Sequence, residues 1–175
     1  MDSQVSELRL MIFDVDGVLT DGQIYYDANQ ESLKAFSTLD GLGLQLLRQS
    51  GVELAVITGR VSAPLERRLD DLGIKIRYTG IDDKATAYRE LLQTTGLCAH
   101  QTGFMGDDLV DLPVMLSCGF SATTPDAPLL VQQYAHFIAT RHGGEGAVRE
   151  VCEWIMKQQG TWETQVAHYL IPAIE

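Results

Sequence analysis

Leu8–Val15 reads LRLMIFDV, a nearly continuous apolar run that ends in an acid, and the chain continues as Asp14-Val15-Asp16-Gly17-Val18-Leu19-Thr20. An apolar run of this length, bounded by a turn, is the pattern of a central parallel strand covered on both faces. Asp14 and Asp16 then stand at its exit, and Gly17 gives the backbone freedom to turn both carboxylates toward one crevice. Paired acids in that place can bind a hard divalent cation through oxygen, or divide the work of nucleophile and proton carrier. An ordinary acidic turn is the competing reading of this stretch taken alone.

Short apolar runs recur at Glu53–Ile57, Lys75–Tyr78, Gly103–Met105, Gly119–Ser121 and His136–Ala139. Helical patterns lie between them, at Gly41–Gln49, Ala63–Leu72, Lys84–Thr94, Leu109–Ser117, Pro128–Gln133 and Ala147–Gln158. Strand alternating with helix predicts an α/β fold, a Rossmann-like and mostly parallel sheet with helices on both faces. In such sheets a ligand sits beyond the carboxyl ends of the strands. The 175 residues, without internal repeat or linker, fit a single domain spanning 1–175.

One stretch breaks the alternation. Gly22 to Phe36 reads as a hairpin, with strands Gln23–Tyr26 and Leu33–Phe36 around the turn-rich Asp27-Ala28-Asn29-Gln30. A lone two-stranded hairpin is marginal in water, so its apolar residues need a surface from the body or from another subunit. The tail, Gly160 to Glu175, carries Trp162, Tyr169, Leu170 and Ile171 with weak periodicity, and a tail that apolar is expected to dock.

Thirteen Lys and Arg against 24 Asp and Glu give a net charge of −11, which argues against nucleic acid or an anionic membrane as partner. No apolar run approaches the roughly 20 residues of a membrane span. The N-terminal MDSQVSELR lacks the order of a signal peptide, so a cytoplasmic protein is expected. Cys98, Cys118 and Cys152 have no CxxC spacing and read as buried small hydrophobes.

Three more groups stand at strand exits. Gly106-Asp107-Asp108-Leu109-Val110-Asp111 places Asp107 and Asp111 on one face of the helix that begins there, with Asp108 as a first-turn acid. Helix capping accounts for one of these acids and poorly for three. Ile57-Thr58-Gly59-Arg60 offers a hydroxyl and a guanidinium, and Asp83-Lys84 an amine at a helix start. A phosphoryl group needs such donors for its oxygens. Read singly, Thr58 is a strand-end cap and Lys84 a solvated residue; the force of the reading lies in their order along the chain. The four histidines show no metal-ligand spacing, and only His142, beside Gly143-Gly144-Glu145-Gly146, stands where it could approach a substrate.

These four ordered motifs resemble those of the haloacid dehalogenase superfamily of aspartate-nucleophile phosphatases. DVDGVLTDG, Lys34-Ala35-Phe36, Asp40-Gly41-Leu42-Gly43, ITGR, Asp83-Lys84, GDDLVDLPVM and the glycine run into Ala147–Glu150 are similar, more narrowly, to its 3-deoxy-D-manno-octulosonate (Kdo) 8-phosphate phosphatase family. The likeness runs from about residue 8 to about residue 152. It implies a magnesium-dependent phosphoric monoester hydrolase that releases Kdo and phosphate through an aspartyl-phosphate, in the synthesis of lipopolysaccharide precursors. Asp14 would be the nucleophile and Asp16 the acid and base, while Thr58 and Lys84 would hold the phosphoryl oxygens. Magnesium, or manganese or cobalt in its place, would be held by Asp14, the Asp16 carbonyl and Asp107, with Asp108 or Asp111 behind as orienting groups.

The resemblance further implies a hairpin flap in place of a cap domain, and a homotetramer whose active sites lie between subunits. Arg60 and Arg68 are candidates for the substrate carboxylate. Lys34 is a third substrate-binding candidate, with an edge-strand gatekeeper as the alternative. The resemblance also implies the eight-carbon substrate over a nine-carbon sugar acid phosphate, because relatives that act on nine-carbon sugar acids typically carry no basic residue after Thr-Gly, where this chain has Arg60. A receiver-like domain and a non-catalytic oligomerisation module are the other readings. In a receiver the acidic pair comes first and the lysine last, whereas here GDDLVD follows Lys84.

Overall fold

The computed structural model describes residues 5–26 and 31–172. Its centre is β1 (Leu10–Phe13), every residue of which is buried. β1 is paired in parallel with β4 (Glu53–Ile57) on one side and β6 (Thr102–Met105) on the other. β5 (Ile76–Tyr78) extends the sheet beyond β4, and β7 (Phe120–Thr123) and β8 (Phe137–Ile138) extend it beyond β6. The order is β5-β4-β1-β6-β7-β8, parallel throughout.

The two-residue period of a strand divides β1 between two cores. Met11 and Phe13 join Leu54 and Val56 in one cluster, covered by α1 (Thr38–Gln49), α2 (Ala63–Leu72) and α6 (Ala147–Gln159). Leu10 and Ile12 join Ala55 and Ile57 in the other, under α3 (Lys84–Thr95), α4 (Leu112–Met115) and α5 (Leu129–Tyr134). Ile12, fully buried, is worth about 2–5 kcal/mol against alanine. The sheet of the sequence reading is therefore present and layered on both faces, because only a two-sided cover keeps such strands dry.

The chain leaves β1 for β4 on one side and later returns to β6 on the other, so β1 is where the strand order reverses. Ligand crevices open at such points, beyond the carboxyl ends of the strands. The exits of β1, β4 and β6 carry Asp14, Thr58 and Asp107.

Several elements differ from expectation. The hairpin pairs Tyr25–Tyr26 (β2) with Glu31–Leu33 (β3), so its second strand ends before Lys34. Pairing stops there because Lys34 is buried and Phe36 packs against the core, which pulls the chain out of the ribbon. The predicted turn at 27–30 lies outside the described residues. Leu109–Ser117 is not one helix but a 3₁₀ turn, Leu109–Asp111, running into the short α4.

The tail is also more ordered than its pattern suggests. Gly160, at φ 70°, ends α6, and α7 (Trp162–Val166) with a following 3₁₀ turn, Ala167–Leu170, folds back. Trp162 packs on the core with Lys157 over its ring, while Tyr169, Leu170 and Ile171 stay exposed. Cys98 is exposed, unlike the buried Cys118 and Cys152; it opens a 3₁₀ turn rather than lying in an element packed on a core. Among the described residues no helix is long and apolar enough to cross a membrane.

Candidate active site

Asp14 is placed by β1, its backbone N–H donating to the Met105 carbonyl at 2.9 Å and so tying it to β6. Beyond it the chain makes a tight loop. Val15 accepts the backbone N–H groups of Val18, Leu19 and Thr20, and the Thr20 hydroxyl accepts those of Gly17 and Gly22. Gly17 sits at φ 89°, where a side chain is strained in any case, and a Cβ there would lie 2.0 Å from the Asp107 Oδ2. The glycine thus lets the β1 loop lie against the acid from β6.

A second glycine contact braces this loop from behind. A Cβ on Gly143 would stand 1.9 Å from the Gly17 carbonyl oxygen, and the Gly144 N–H donates to the Val18 carbonyl at 3.0 Å. The run Gly143-Gly144-Glu145-Gly146 is therefore a close-packed support of the loop that carries Asp14 and Asp16. His142 turns aside to Asp126, Nδ1 to Oδ2 2.6 Å, and does not line the cleft.

Asp107 and Asp111 come together, but not as neighbours on a helix face. Asp111 Oδ2 accepts the backbone N–H groups of Asp107 at 2.9 Å and Asp108 at 3.1 Å, folding the loop over its own carboxylate. Its other oxygen accepts Lys84 Nζ at 2.6 Å. Lys84 also reaches Asp14 Oδ1 at 2.8 Å. Asp108 is exposed at the edge of the cleft above these acids and caps Leu109, its oxygen 2.7 Å from that N–H. Of the two candidate orienting acids, it is Asp111 that stands behind the site.

Carboxylate oxygens of Asp14, Asp107 and Asp111 lie within 4.8 Å of one another, facing a single lysine. The charge surplus shows in their protonation. Burial, then the Asp111 charge, push the Asp14 carboxyl up to about 6 despite Lys84. Burial, then the charges of Asp14 and Asp111, push Asp107 up to about 8. Burial works against the Lys84 charge, but Asp14 and Asp111 outweigh it and the amine stays above its usual value. The Asp107 Oδ1 is moreover buried without a hydrogen-bond partner. Hard oxygens, excess negative charge and an unpartnered buried oxygen are what a divalent cation such as magnesium satisfies, so this donor set fits one.

The cleft above these acids has a volume of about 470 Å³ and is lined by Asp14, Asp16, Thr58, Arg60, Lys84 and Asp107. Thr58 is held by β4 and the turn after it, its N–H donating to the Tyr78 carbonyl and its own carbonyl accepting from Ile81. Arg60 stands half-exposed at the rim, Nε 3.7 Å from Asp16 Oδ2.

Two of the proposed substrate ligands are not in this cleft. Arg68 donates to the Ser37 carbonyl at 3.0 Å and packs over the Phe36 ring, supporting the start of α1. Lys34 is buried, its amine paired with Asp16 Oδ1. Ile24, Ile81, Asp82 and Val110 also line the cleft and are not assigned to a site from the sequence. Ile24 lies in the first strand of the hairpin as read and Val110 inside the GDDLVD run, while no signal marks Ile81 or Asp82.

A parallel sheet whose central strand delivers an acid pair to a hydroxyl, an amine and a second acidic loop is the construction of a haloacid-dehalogenase-type phosphatase. No family model matches the chain. Individual relatives do: it is 44% identical over 160 residues to the 3-deoxy-D-manno-octulosonate 8-phosphate phosphatase of Haemophilus influenzae, covering 91% of this chain and 89% of that protein. The cobalt-bound structure of the H. influenzae phosphatase matches with a TM-score of 0.90 at 42% identity, covering 93% of this chain and 95% of that one. The Moraxella catarrhalis phosphatase, crystallised with magnesium, phosphate and Kdo, matches with a TM-score of 0.92 at 42% identity over 95% of each chain. The chain belongs to the Kdo 8-phosphate phosphatase family.

Proposed function

We propose that this protein is a magnesium-dependent phosphatase that hydrolyses Kdo 8-phosphate to Kdo and phosphate. The observation that carries this reading is the convergence of Asp14, from the exit of β1, and Asp107 and Asp111, from beyond the adjacent β6, on Lys84 at the start of α3, beneath a cleft bordered by Thr58 and Arg60. The Mg2+-, phosphate- and Kdo-bound relative supports the substrate and the metal.

In the first step an Asp14 oxygen attacks phosphorus, a P–O bond forms, and the bond to the sugar oxygen breaks. Asp16 gives its proton to that leaving oxygen. In the second step Asp16 takes a proton from water, which attacks the aspartyl-phosphate and frees Asp14 and phosphate. Lys84, 2.8 Å from Asp14, keeps the nucleophile ionised against its burial. The Lys84 amine and the Thr58 hydroxyl hold phosphoryl oxygens, and Arg60 meets the substrate carboxylate at the rim. Asp14, the Asp16 carbonyl and Asp107 hold the metal, with Asp111 fixing the loop of Asp107. When bound, magnesium supplies positive charge to the phosphoryl oxygens and offsets the acids' repulsion.

The exposed Tyr25, Tyr26 and Leu33 support a homotetramer in which hairpins pack together and sites lie between subunits. Arg68 then serves either its own chain's α1 or a neighbour's site. In this reading the chain acts as one domain and works in the cytoplasm, in the same compartment as a charged substrate that does not cross a bilayer unaided. Magnesium-dependent phosphate release over a panel of sugar phosphates tests the function. Kdo 8-phosphate is expected to be turned over best, and equal or faster turnover of a nine-carbon sugar acid phosphate contradicts the substrate. Sedimentation tests the assembly, which a monomer at micromolar concentration contradicts.

A further inference from the structure

Lys34 was expected, if functional, to bind substrate. Its position says otherwise: the side chain is 1% exposed and its amine is paired with Asp16 Oδ1. A lysine is almost never buried to that degree without a partner, because removing an ammonium group from water is costly. The pair is also not local in sequence. Lys34 follows β3, the returning strand of the hairpin, and Asp16 lies in the loop after β1. The chain leaves the hairpin ribbon at this residue, exposed at Leu33 and buried at Lys34, so the flap's second strand ends where the contact is made.

The partner atom matters more than the contact itself. Asp16 has two carboxylate oxygens with different surroundings. Oδ1 is taken by buried Lys34, while Oδ2 is 3.7 Å from Arg60 at the rim of the cleft. A carboxylate that carries a proton to and from a reacting oxygen must present one oxygen to the substrate in a fixed orientation. Fixing its other oxygen with a buried, charged donor does that without occupying the cleft.

We propose that Lys34 is a positioning residue that anchors Asp16 Oδ1, aims Oδ2 into the cleft for proton transfer, and so makes the acid's geometry depend on the seating of the hairpin flap. This rests on the reading of Asp16 as acid and base. The consequence is selective. Departure of a sugar alkoxide needs a proton, whereas departure of p-nitrophenolate, a good leaving group, does not. Loss of Lys34 is therefore expected to slow phosphoryl transfer from the sugar phosphate and largely to spare transfer from the aryl phosphate. Hydrolysis of the aspartyl-phosphate, which needs Asp16 as base, slows with both.

The test compares Lys34→Met, Lys34→Arg and Asp16→Asn with the unmodified full-length enzyme in magnesium, by rapid-mixing kinetics on Kdo 8-phosphate and p-nitrophenyl phosphate. Lys34→Met is expected to keep the p-nitrophenolate burst within about threefold, and to lose about 10²-fold in the transfer step of the sugar phosphate. KM for the sugar phosphate should move little, and Lys34→Arg should recover part of the loss. A raised KM with unchanged kcat would overturn the proposal in favour of a substrate ligand. An equal fall of both transfer steps would overturn it in favour of a purely structural lysine, as would loss of folding in both Lys34 variants, read by circular dichroism. Asp16→Asn separates this from the underlying reading: if that variant shows no leaving-group dependence, it is the acid assignment that fails.

Discussion

Replacing Asp107 with asparagine should stabilise the protein in a chelator while abolishing its response to magnesium. Asp107 is held up to about 8, against 3.8 for a free aspartate, by burial and by the charges of Asp14 and Asp111. A folded-state value above the unfolded one means that folding favours the proton. The associated stability is present below about pH 4 and is lost as pH rises toward 8. At 1.36 kcal/mol per pH unit, the whole shift would be worth on the order of 6 kcal/mol. Three acids share one repulsion, so a single neutralisation should recover about half of that, ~2–3 kcal/mol. At roughly 2–4 °C per kcal/mol for a chain of this size, Asp107→Asn should raise Tm in EDTA by about 5–10 °C near pH 8. The gain should shrink toward about pH 5, where Asp107 binds its proton. In millimolar magnesium the unmodified protein should gain Tm, by its preferential binding to the folded state, and the variant should not. Differential scanning fluorimetry over that pH range reads all four conditions. A variant that melts at or below the parent in EDTA and still responds to magnesium would show that Asp107 neither carries this repulsion nor holds the ion.

Other substitutions probe the supports of the site. Gly17→Ala places a Cβ 2.0 Å from Asp107 Oδ2 at φ 89°, so it should cost about 1–2 kcal/mol in backbone strain and on the order of 10²-fold in kcat/KM through the displaced carboxylate. Denaturant titration and steady-state kinetics read the two effects, and near-normal activity would contradict the close approach. Asp40, 2% exposed on α1, accepts the Arg149 N–H at the start of α6 at 2.8 Å, where the Gly146 cap offers no side chain. Asp40→Ala should therefore cost about 1–2 kcal/mol by denaturant titration, and an unchanged midpoint would show that the bond carries no stability. His142 is raised above its usual value by its bond to Asp126. The stability from that pair should be full below about pH 6 and fade as pH rises through the raised value, and a His142→Gln variant should lose this pH dependence. A pH dependence unchanged in the variant would contradict it.

The parts of this molecule that are legible in its sequence are those fixed by local pattern. LRLMIFDV could be placed at the centre of a sheet because a strand dry on both faces leaves no polar alternation, and its acidic end then had to face the crevice. The sheet, its two-sided cover and the exits that carry Asp14, Thr58, Lys84 and Asp107 follow from that. What the sequence left open depends on contacts between distant segments. The period of a helix suggested that Asp107 and Asp111 share a face, yet the actual link is a carboxylate folded onto backbone N–H groups, a choice open to any short acidic side chain in a turn. Lys34 and Arg68 are cations of the same kind in sequence; one is buried on Asp16 and the other props the start of α1, and only the packed chain separates them. Gly143 had a reason beyond turn-making, the approach to the Gly17 carbonyl, which no one-dimensional pattern contains.

Turnover by this mechanism phosphorylates Asp14 from Kdo 8-phosphate. Rapid acid quench of the enzyme during turnover in magnesium, followed by peptide mass spectrometry, reads that intermediate. One phosphoryl group is expected on the peptide that carries Asp14, formed and lost at rates consistent with turnover, and absent from Asp14→Asn, which should release no phosphate. Turnover without any phosphorylated Asp14 peptide, or substantial phosphate release by Asp14→Asn, would contradict it.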